Sequence, residues 1–373
     1  IPIGPVESLS DEWVDLILHT LKESERLGLE FAMHNCPGWS SSGGPWITPD
    51  KAMQIITWSE TKITGGKQVR IQLPTPKHMF DYYIDTYCLA IPANMKVIPR
   101  LSILELSNRL DKDGVLTWDV PTGEWLIMRF GQTAKDQKNK SAPSKSTGLD
   151  CDKFSTEALD YHLNCMFKRL MPAMEKIAKH SKIGLLIDSY ETGDQDWTSD
   201  MPAYFEQSHG YELYPFLPVL ANKIVESEES TKRFLFDFRR VRADMFAERY
   251  YGHFQKRCKE KGIITYTEPY GGNMMEELQV AQQLDINMGE FWCGQTVLWA
   301  NYKYNRTVKQ VASIAHTLGG KVVGAEAFTS EPDADKWLQY PYALKSLGDY
   351  MFTRGLSRIY FHRFAHQPPP TAA

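Results

Sequence analysis

The chain has 373 residues, 42% of them hydrophobic, with a formal net charge of -4 at pH 7 and a sequence pI near 6.2. That length allows one large barrel or two ordinary domains, and the mild acidity argues against a nucleic-acid-binding face. No apolar run reaches the ~18 residues that mark a membrane-spanning helix, and six cysteines without CxxC spacing argue against a zinc site while leaving the redox compartment open.

In chain order, the opening IPIGPVESLS carries no signal peptide and, with the tail QPPPTAA, reads as the interior of a longer protein. Ser10 caps a first helix whose Trp13, Leu16, Ile17 and Leu21 share one face, and Gly28 ends it. Residues 29–35 (LEFAMHN) form a buried strand, followed by a Gly/Ser/Pro-rich loop that presents Trp39 and Trp46, and strand-like material resumes at 52–60. Between 61 and 122, short extended runs broken by Pro, Gly and Asp read as a small β-rich insertion. Residues 124–131 (EWLIMRFG) return to a buried strand, 132–153 are loop by composition, and a helix covers 156–180.

From there strands and helices alternate. Strands are expected over 183–191, 263–271, 285–292, 321–328 and 358–366, with helices over 229–261, 274–283, 305–318 and 342–354. Strands starting near 29, 53, 124, 183, 263, 285, 321 and 358 predict an α/β fold, a (β/α)8 TIM barrel of ~250 residues with a β-rich insertion between its second and third strands. The matching domain boundaries are 1–60 and 123–373 for the two parts of the barrel and 61–122 for the insertion.

Residues 183–197 (IGLLIDSYETGDQDW) run from an unbroken apolar stretch into an acidic loop, the pattern of a strand buried on both faces. Chemistry in such folds gathers where the loops converge, at the carboxyl ends of the strands. Glu191, Glu268, Glu290 and Glu326 each stand at such an end, beside aromatic or small residues. One Glu there suits a solvated salt bridge. Four converging on one mouth repel unless some are protonated, hydrogen-bonded or on a metal. Two carboxyl groups with separated pKa values are the minimum for glycoside hydrolysis, and Trp39, Trp46, Trp197 and Trp292 would face the sugar, although each also suits packing.

Other barrel chemistries leave marks that are absent. The first strand ends Met33–His34–Asn35 rather than His-x-His, no Lys stands at a strand end, and the last two turns lack the glycines of a phosphate site. His362 and His366, four apart on one strand face, suit either the site or the core. Asp188, Asp194 and Asp196 are oxygen donors suited to calcium, or simply a solvated acidic loop.

The runs HNCPGWSSSGGPWITPDKAMQ, LTWDVPTGEWLIMRFG, GLDCDKFSTEALD, LLIDSYETGDQDWT, FLFDFRRVRADMFAERYYG, GAEAFT and FHRFAHQP resemble glycoside hydrolase family 106, the α-L-rhamnosidases, in order along essentially the whole chain. The resemblance implies a (β/α)8 catalytic domain, hydrolysis of α-L-rhamnosides with inversion, and calcium dependence. It also implies plant pectic glycans or rhamnosylated small molecules as substrates, and a periplasmic or secreted location in a bacterium. The family motif has Gly at Cys36 and Trp-Glu at Tyr190–Glu191, and neither difference removes a carboxylate. Family members are generally longer, so the chain reads as a catalytic region.

On this reading Glu191 is the general acid, its pKa raised by burial beside Tyr190 and by neighbouring carboxylates. The base is Glu290 or Glu326. Glu290 is preferred because its strand lies two ~4.8 Å steps from that of Glu191, near the ~6.5–9.5 Å of an inverting pair. His34, Asn35, Trp39, Asp188, Trp197, Glu268, Trp292, His362 and His366 are assigned to the sugar, with Asp188 and Glu268 the candidates for calcium. A non-catalytic carbohydrate-binding barrel, or a glycosidase for another deoxy or uronic sugar, are the alternatives.

Overall fold

A computed structural model describes residues 6–39, 42–293, 298–330 and 338–363. Its strands are β1 (Phe31–His34), β2 (Gln54–Thr64), β3 (Lys67–Gln72), β4 (Ile84–Pro92), β5 (Val97–Ile98), β6 (Leu104–Glu105), β7 (Val115–Val120), β8 (Glu124–Ala134), β9 (Ile183–Ile187), β10 (Ile224–Val225), β11 (Ile264–Thr267), β12 (Ile286–Trp292), β13 (Val323–Thr329) and β14 (Arg358–Phe361). The helices are α1 (Asp11–Leu27), α2 (Thr156–Ile177), α3 (Met201–His209), α4 (Leu217–Leu220), α5 (Glu228–Met245), α6 (His253–Lys259), α7 (Glu277–Ala281), α8 (Leu298–Leu318) and α9 (Pro341–Thr353).

Local chemistry sets the helix ends where the residues suggest. The Ser10 hydroxyl accepts from Trp13 N at the start of α1, and Gly28 closes that helix at φ +69°, a conformation open to glycine. Ser155 and Ser227 cap α2 and α5 in the same way. The expected helix over 229–261 is α5 and α6 joined by a π-helical segment, Phe246–Gly252, whose Phe246, Tyr250 and Tyr251 are buried.

The six apolar runs β1, β9, β11, β12, β13 and β14 pair in that order as one parallel sheet. The sheet curls: Arg358 at the start of β14 donates to Glu30, just before β1, at 2.9 Å. No backbone ladder joins β14 to β1 among the described residues. The expected closed eight-stranded barrel is therefore not what forms. Phe31 to His34 of β1 pair directly with Ile183 to Leu186 of β9, which leaves no place between them for two more strands. The segments expected as the second and third barrel strands are β2 and β8, which pair antiparallel from Gln54↔Ala134 to Thr64↔Glu124. Together with β4 and β6 they make a four-stranded sheet, and β3 pairs with β7 in a second one. A buried pattern identifies a strand but not its partner, so β8 looked like barrel material when it was the centre of an antiparallel sheet.

Two cores hold these layers. Leu116, Trp118 and Val120 of β7 meet Cys88, Ala90 and Ile127 between the antiparallel sheets. The larger core joins Ile56, Met128 and Phe130 on the other face of β2 and β8 to Leu159, Leu163 and Met166 of α2, Leu185 and Ile187 of β9, and the aromatic residues of α5 and the π segment.

A buried cation pins the loops above that core. The Lys153 ammonium is wholly buried, donates to Asp150, to Ser42 Oγ at 2.6 Å and to Cys151 O at 3.2 Å, and lies 4.9 Å over the Tyr250 ring. Asp150 is wholly buried too. Removing one member of such a pair strands the other charge in a low dielectric. Lys153→Met should therefore destabilise the chain by about 3–5 kcal/mol, read as a lower denaturant midpoint, while Lys182→Met, which removes an exposed ammonium 3.7 Å from Glu30, should leave the midpoint nearly unchanged.

Candidate active site

The carboxyl ends of the parallel strands carry the acidic residues. Asp188 follows β9, Glu268 follows β11, Glu290 lies in β12, and Glu326 lies opposite Glu290 in register on β13. The curl brings three of them together: carboxylate oxygens of Asp188, Glu268 and Glu326 all lie within 4.8 Å of one another. Glu268 is wholly buried, and burial holds its carboxyl well above the usual range, with Asp188 and Glu326 pushing it further. Burial also raises Glu326, to about 7, aided by Glu290, Asp188 and Glu191, while the Thr329 hydroxyl opposes the shift.

Each carboxyl is held by a neighbour. Tyr270 donates its hydroxyl to Glu268 Oε2 at 2.5 Å, and the Trp292 indole donates to Glu290 Oε1. Trp292 stands two residues on in β12, where the strand period returns to the same face, whereas Tyr270 is brought back to Glu268 by the turn that follows β11, in which Tyr270 N donates to Glu268 O. Thr329 is three residues after Glu326 and would face the other way in a regular strand. A left-handed Phe328, at φ +61°, and a register shift opposite Phe291–Trp292 turn it back, so its hydroxyl donates to Glu326 Oε1 at 2.5 Å. His362 completes that corner, with Nδ1 3.2 Å from Glu326 and 3.0 Å from the Thr329 hydroxyl.

Glu191 sits apart, on the loop after β9. It accepts from the Trp39 indole at 3.2 Å and from Ser189 Oγ at 3.3 Å, with Lys140 Nζ 3.8 Å away. Its side chain is 43% exposed, so the burial expected beside Tyr190 is absent. Tyr190 turns into the core instead, donating to Gly193 O at 2.8 Å and packing edge-on against Phe246.

At the end of β1, His34 Nδ1 lies 3.7 Å from Asp188. Asn35 is fully buried and donates both its backbone N–H and its side-chain amide to Leu186 O. Behind it the Trp46 indole, which can only donate, is 3.2 Å from His162 Nδ1. The proton of His162 must then sit on Nε2, which donates to Asn35 O at 2.9 Å and Oδ1 at 3.1 Å. Burial lowers the His162 pKa to about 4, so this relay stays neutral.

The expected site residues thus divide. His34, Asn35, Trp39, Asp188, Glu191, Glu268, Glu290, Trp292, Glu326 and His362 stand at or beside the carboxyl ends of the parallel strands. Trp197 does not: it is fully buried in the larger core, its backbone N–H donating to Gln54 O, so it packs and offers no face to a sugar. Trp46 serves His162 rather than a ligand. Asp194 and Asp196 are drawn away from Asp188, to Asn273 and to Ile56 N respectively. His366 lies outside the described residues. Lys140, His162, Tyr270 and Thr329 are additions. Tyr270 stands two residues after Glu268 in the turn beyond β11, and no strand period marks it or the other three.

The Glu326 shift fixes a sign. A carboxyl whose folded pKa is about 7, against an ordinary 4.5, stabilises the fold most below pH 4.5 and loses that contribution as pH rises to 7. With chelator present, stability should fall across that interval by on the order of 3 kcal/mol from this group, and Glu326→Gln should flatten the slope of urea midpoint against pH.

The family model for glycoside hydrolase family 106, described as alpha-L-rhamnosidase, matches residues 4–85 and 77–372. A putative beta-glucuronidase of Formosa agariphila is 39% identical over 398 residues, covering 98% of this chain and 33% of that protein. A solved rhamnosidase from Novosphingobium sp. PP1Y superposes with a TM-score of 0.87 at 21% identity, covering 96% of this chain and 50% of that one, a likeness of fold. The chain spans about a third of the one relative and half of the other. With a match along nearly its whole length, the chain belongs to glycoside hydrolase family 106, the alpha-L-rhamnosidase family.

Proposed function

We propose that the chain hydrolyses terminal α-L-rhamnosides with inversion, using Glu191 as acid and Glu290 as base. The observation that carries this reading is the division of the acidic residues: Asp188, Glu268 and Glu326 cluster within 4.8 Å, while Glu290 is held outside that cluster by Trp292. Glu191 protonates the glycosidic oxygen as the C1–O bond breaks. Glu290 takes a proton from the water that attacks C1 on the opposite face, and hydroxide adds there with the configuration reversed. Glu191 is left ionised and regains its proton from solvent, which its exposure allows. Trp39 orients the Glu191 carboxyl, and Trp292 orients that of Glu290.

Three carboxylates within 4.8 Å of one another make an oxygen donor set that suits a hard cation, and calcium takes such ligands readily. Asp188, Glu268 and Glu326 would hold it, and a bound ion would supply positive charge to sugar hydroxyls. His34 and His362 border the same mouth. Among the described residues no helix is long and apolar enough to cross a membrane. Action on plant glycans would put the enzyme in the periplasm or outside the cell.

A second reading has one specific support. The relative named a putative beta-glucuronidase is 39% identical, which favours a uronic sugar. Against it, a mouth lined by acidic side chains repels an anionic sugar unless a cation intervenes.

Both readings meet one experiment. Aryl α-L-rhamnoside and aryl β-D-glucuronide are offered to the chain with and without chelator. Chelator-sensitive release from the rhamnoside is expected, with kcat down by about 10²–10⁴-fold in Glu290→Gln. Glu191→Gln should lose less on an aryl leaving group, which needs little protonation, than on an alkyl one. Preference for the glucuronide would favour the second reading, and binding of rhamnose without any turnover would contradict both.

A further inference from the structure

Glu268 stands in the sequence Glu268–Pro269–Tyr270–Gly271–Gly272, and that turn is braced more heavily than a strand-to-loop exit requires. Tyr270 N donates to Glu268 O at 2.8 Å, Tyr270 O accepts from Tyr190 N at 2.9 Å, and Pro269 O accepts from Gln310 of α8 at 3.0 Å. Gly271 has φ +93°, and a Cβ there would come within 2.4 Å of Tyr190 O, so the two loops touch backbone to backbone. All of this fixes the Tyr270 ring beneath the acidic cluster. Its hydroxyl, 7% exposed as a residue, meets Glu268 Oε2 at 2.5 Å.

We propose that Tyr270 is the positioning residue of the cation site, holding one Glu268 oxygen so that the other faces Asp188 and Glu326. The inference rests on the reading of those three carboxylates as cation ligands. Its physical basis is the general behaviour of ligating carboxylates, whose direction is set by hydrogen bonds from an outer shell. Glu268 is wholly buried, so among the described residues Tyr270 replaces the water that would otherwise solvate that oxygen. Trp292 and Thr329 perform the corresponding service for Glu290 and Glu326, and Tyr270 is in addition tied by its own backbone to the loop that carries Glu191.

The test is calcium titration by calorimetry, with terbium luminescence as a second probe, on the 373-residue chain and three variants. Tyr270→Phe removes one hydroxyl and should weaken calcium binding about 10–100-fold, with near-ultraviolet circular dichroism retained. Tyr190→Phe removes a buried hydroxyl of the same brace that bonds Gly193 O instead of a carboxylate, and should leave the affinity unchanged. Glu268→Gln should abolish binding. Equal affinity for Tyr270→Phe and the unmodified chain would overturn the positioning role while leaving the cation site standing. Equal losses in the two tyrosine variants would also overturn it, because packing would then explain the effect. Binding that is absent from the unmodified chain, or untouched by Glu268→Gln, would overturn the cation site and the positioning role together.

Discussion

Repulsion between crowded carboxylates, one of them buried and two half-buried, is the constraint around which this site is built. Two like charges 4 Å apart oppose each other by about 4 kcal/mol at an effective dielectric of 20, and Asp188, Glu268 and Glu326 crowd within 4.8 Å. Without a cation the chain answers with protons, which is why burial and mutual charge push both Glu268 and Glu326 upward. With a cation the same crowding would serve as a ligand set, as proposed above. Hydrogen bonds from Tyr270, Thr329 and Trp292 direct the carboxyl groups of Glu268, Glu326 and Glu290.

The fold supplies this crowding through register rather than through loop length. Parallel pairing sets Glu290 opposite Glu326, while Asp188 and Glu268 leave their strands side by side, two residues earlier in the register of the sheet. The curl then carries β13 round toward β9. The antiparallel sheets stay outside this arrangement, yet they bear on it: Ile56 N of β2 holds Asp196 on the loop that carries Glu191. Lys153 fixes the loops above the helical core by a buried charge, and the Trp46–His162–Asn35 relay fixes the end of β1 without one.

Much of this was readable in the amino-acid sequence, for identifiable reasons. Apolar runs ending in Glu marked four of the six parallel strands and the acidic residues at their ends, because burial on both faces erases alternation. Pairing was not readable, since the partner of β1 is set by β9, about 150 residues further on, and not by its own composition. The barrel expectation failed for that reason alone. Within the site, Trp292 as the period-two neighbour of Glu290 follows from strand geometry, whereas Tyr270 depends on the turn after β11 and Thr329 on a left-handed Phe328 that no local rule announces. Trp197 misled because a tryptophan beside acidic residues suits a sugar platform and a core equally, and only the position of Gln54 decides for the core.

The most direct test of the account is the anomalous diffraction of crystals grown with calcium. One calcium peak is expected about 2.3–2.6 Å from oxygens of Asp188, Glu268 and Glu326, with Glu290 outside the coordination shell and turned to the Trp292 indole. A peak that includes Glu290 among its ligands, or saturating calcium with no peak at the three carboxylates, would contradict the division of labour on which the proposed chemistry depends.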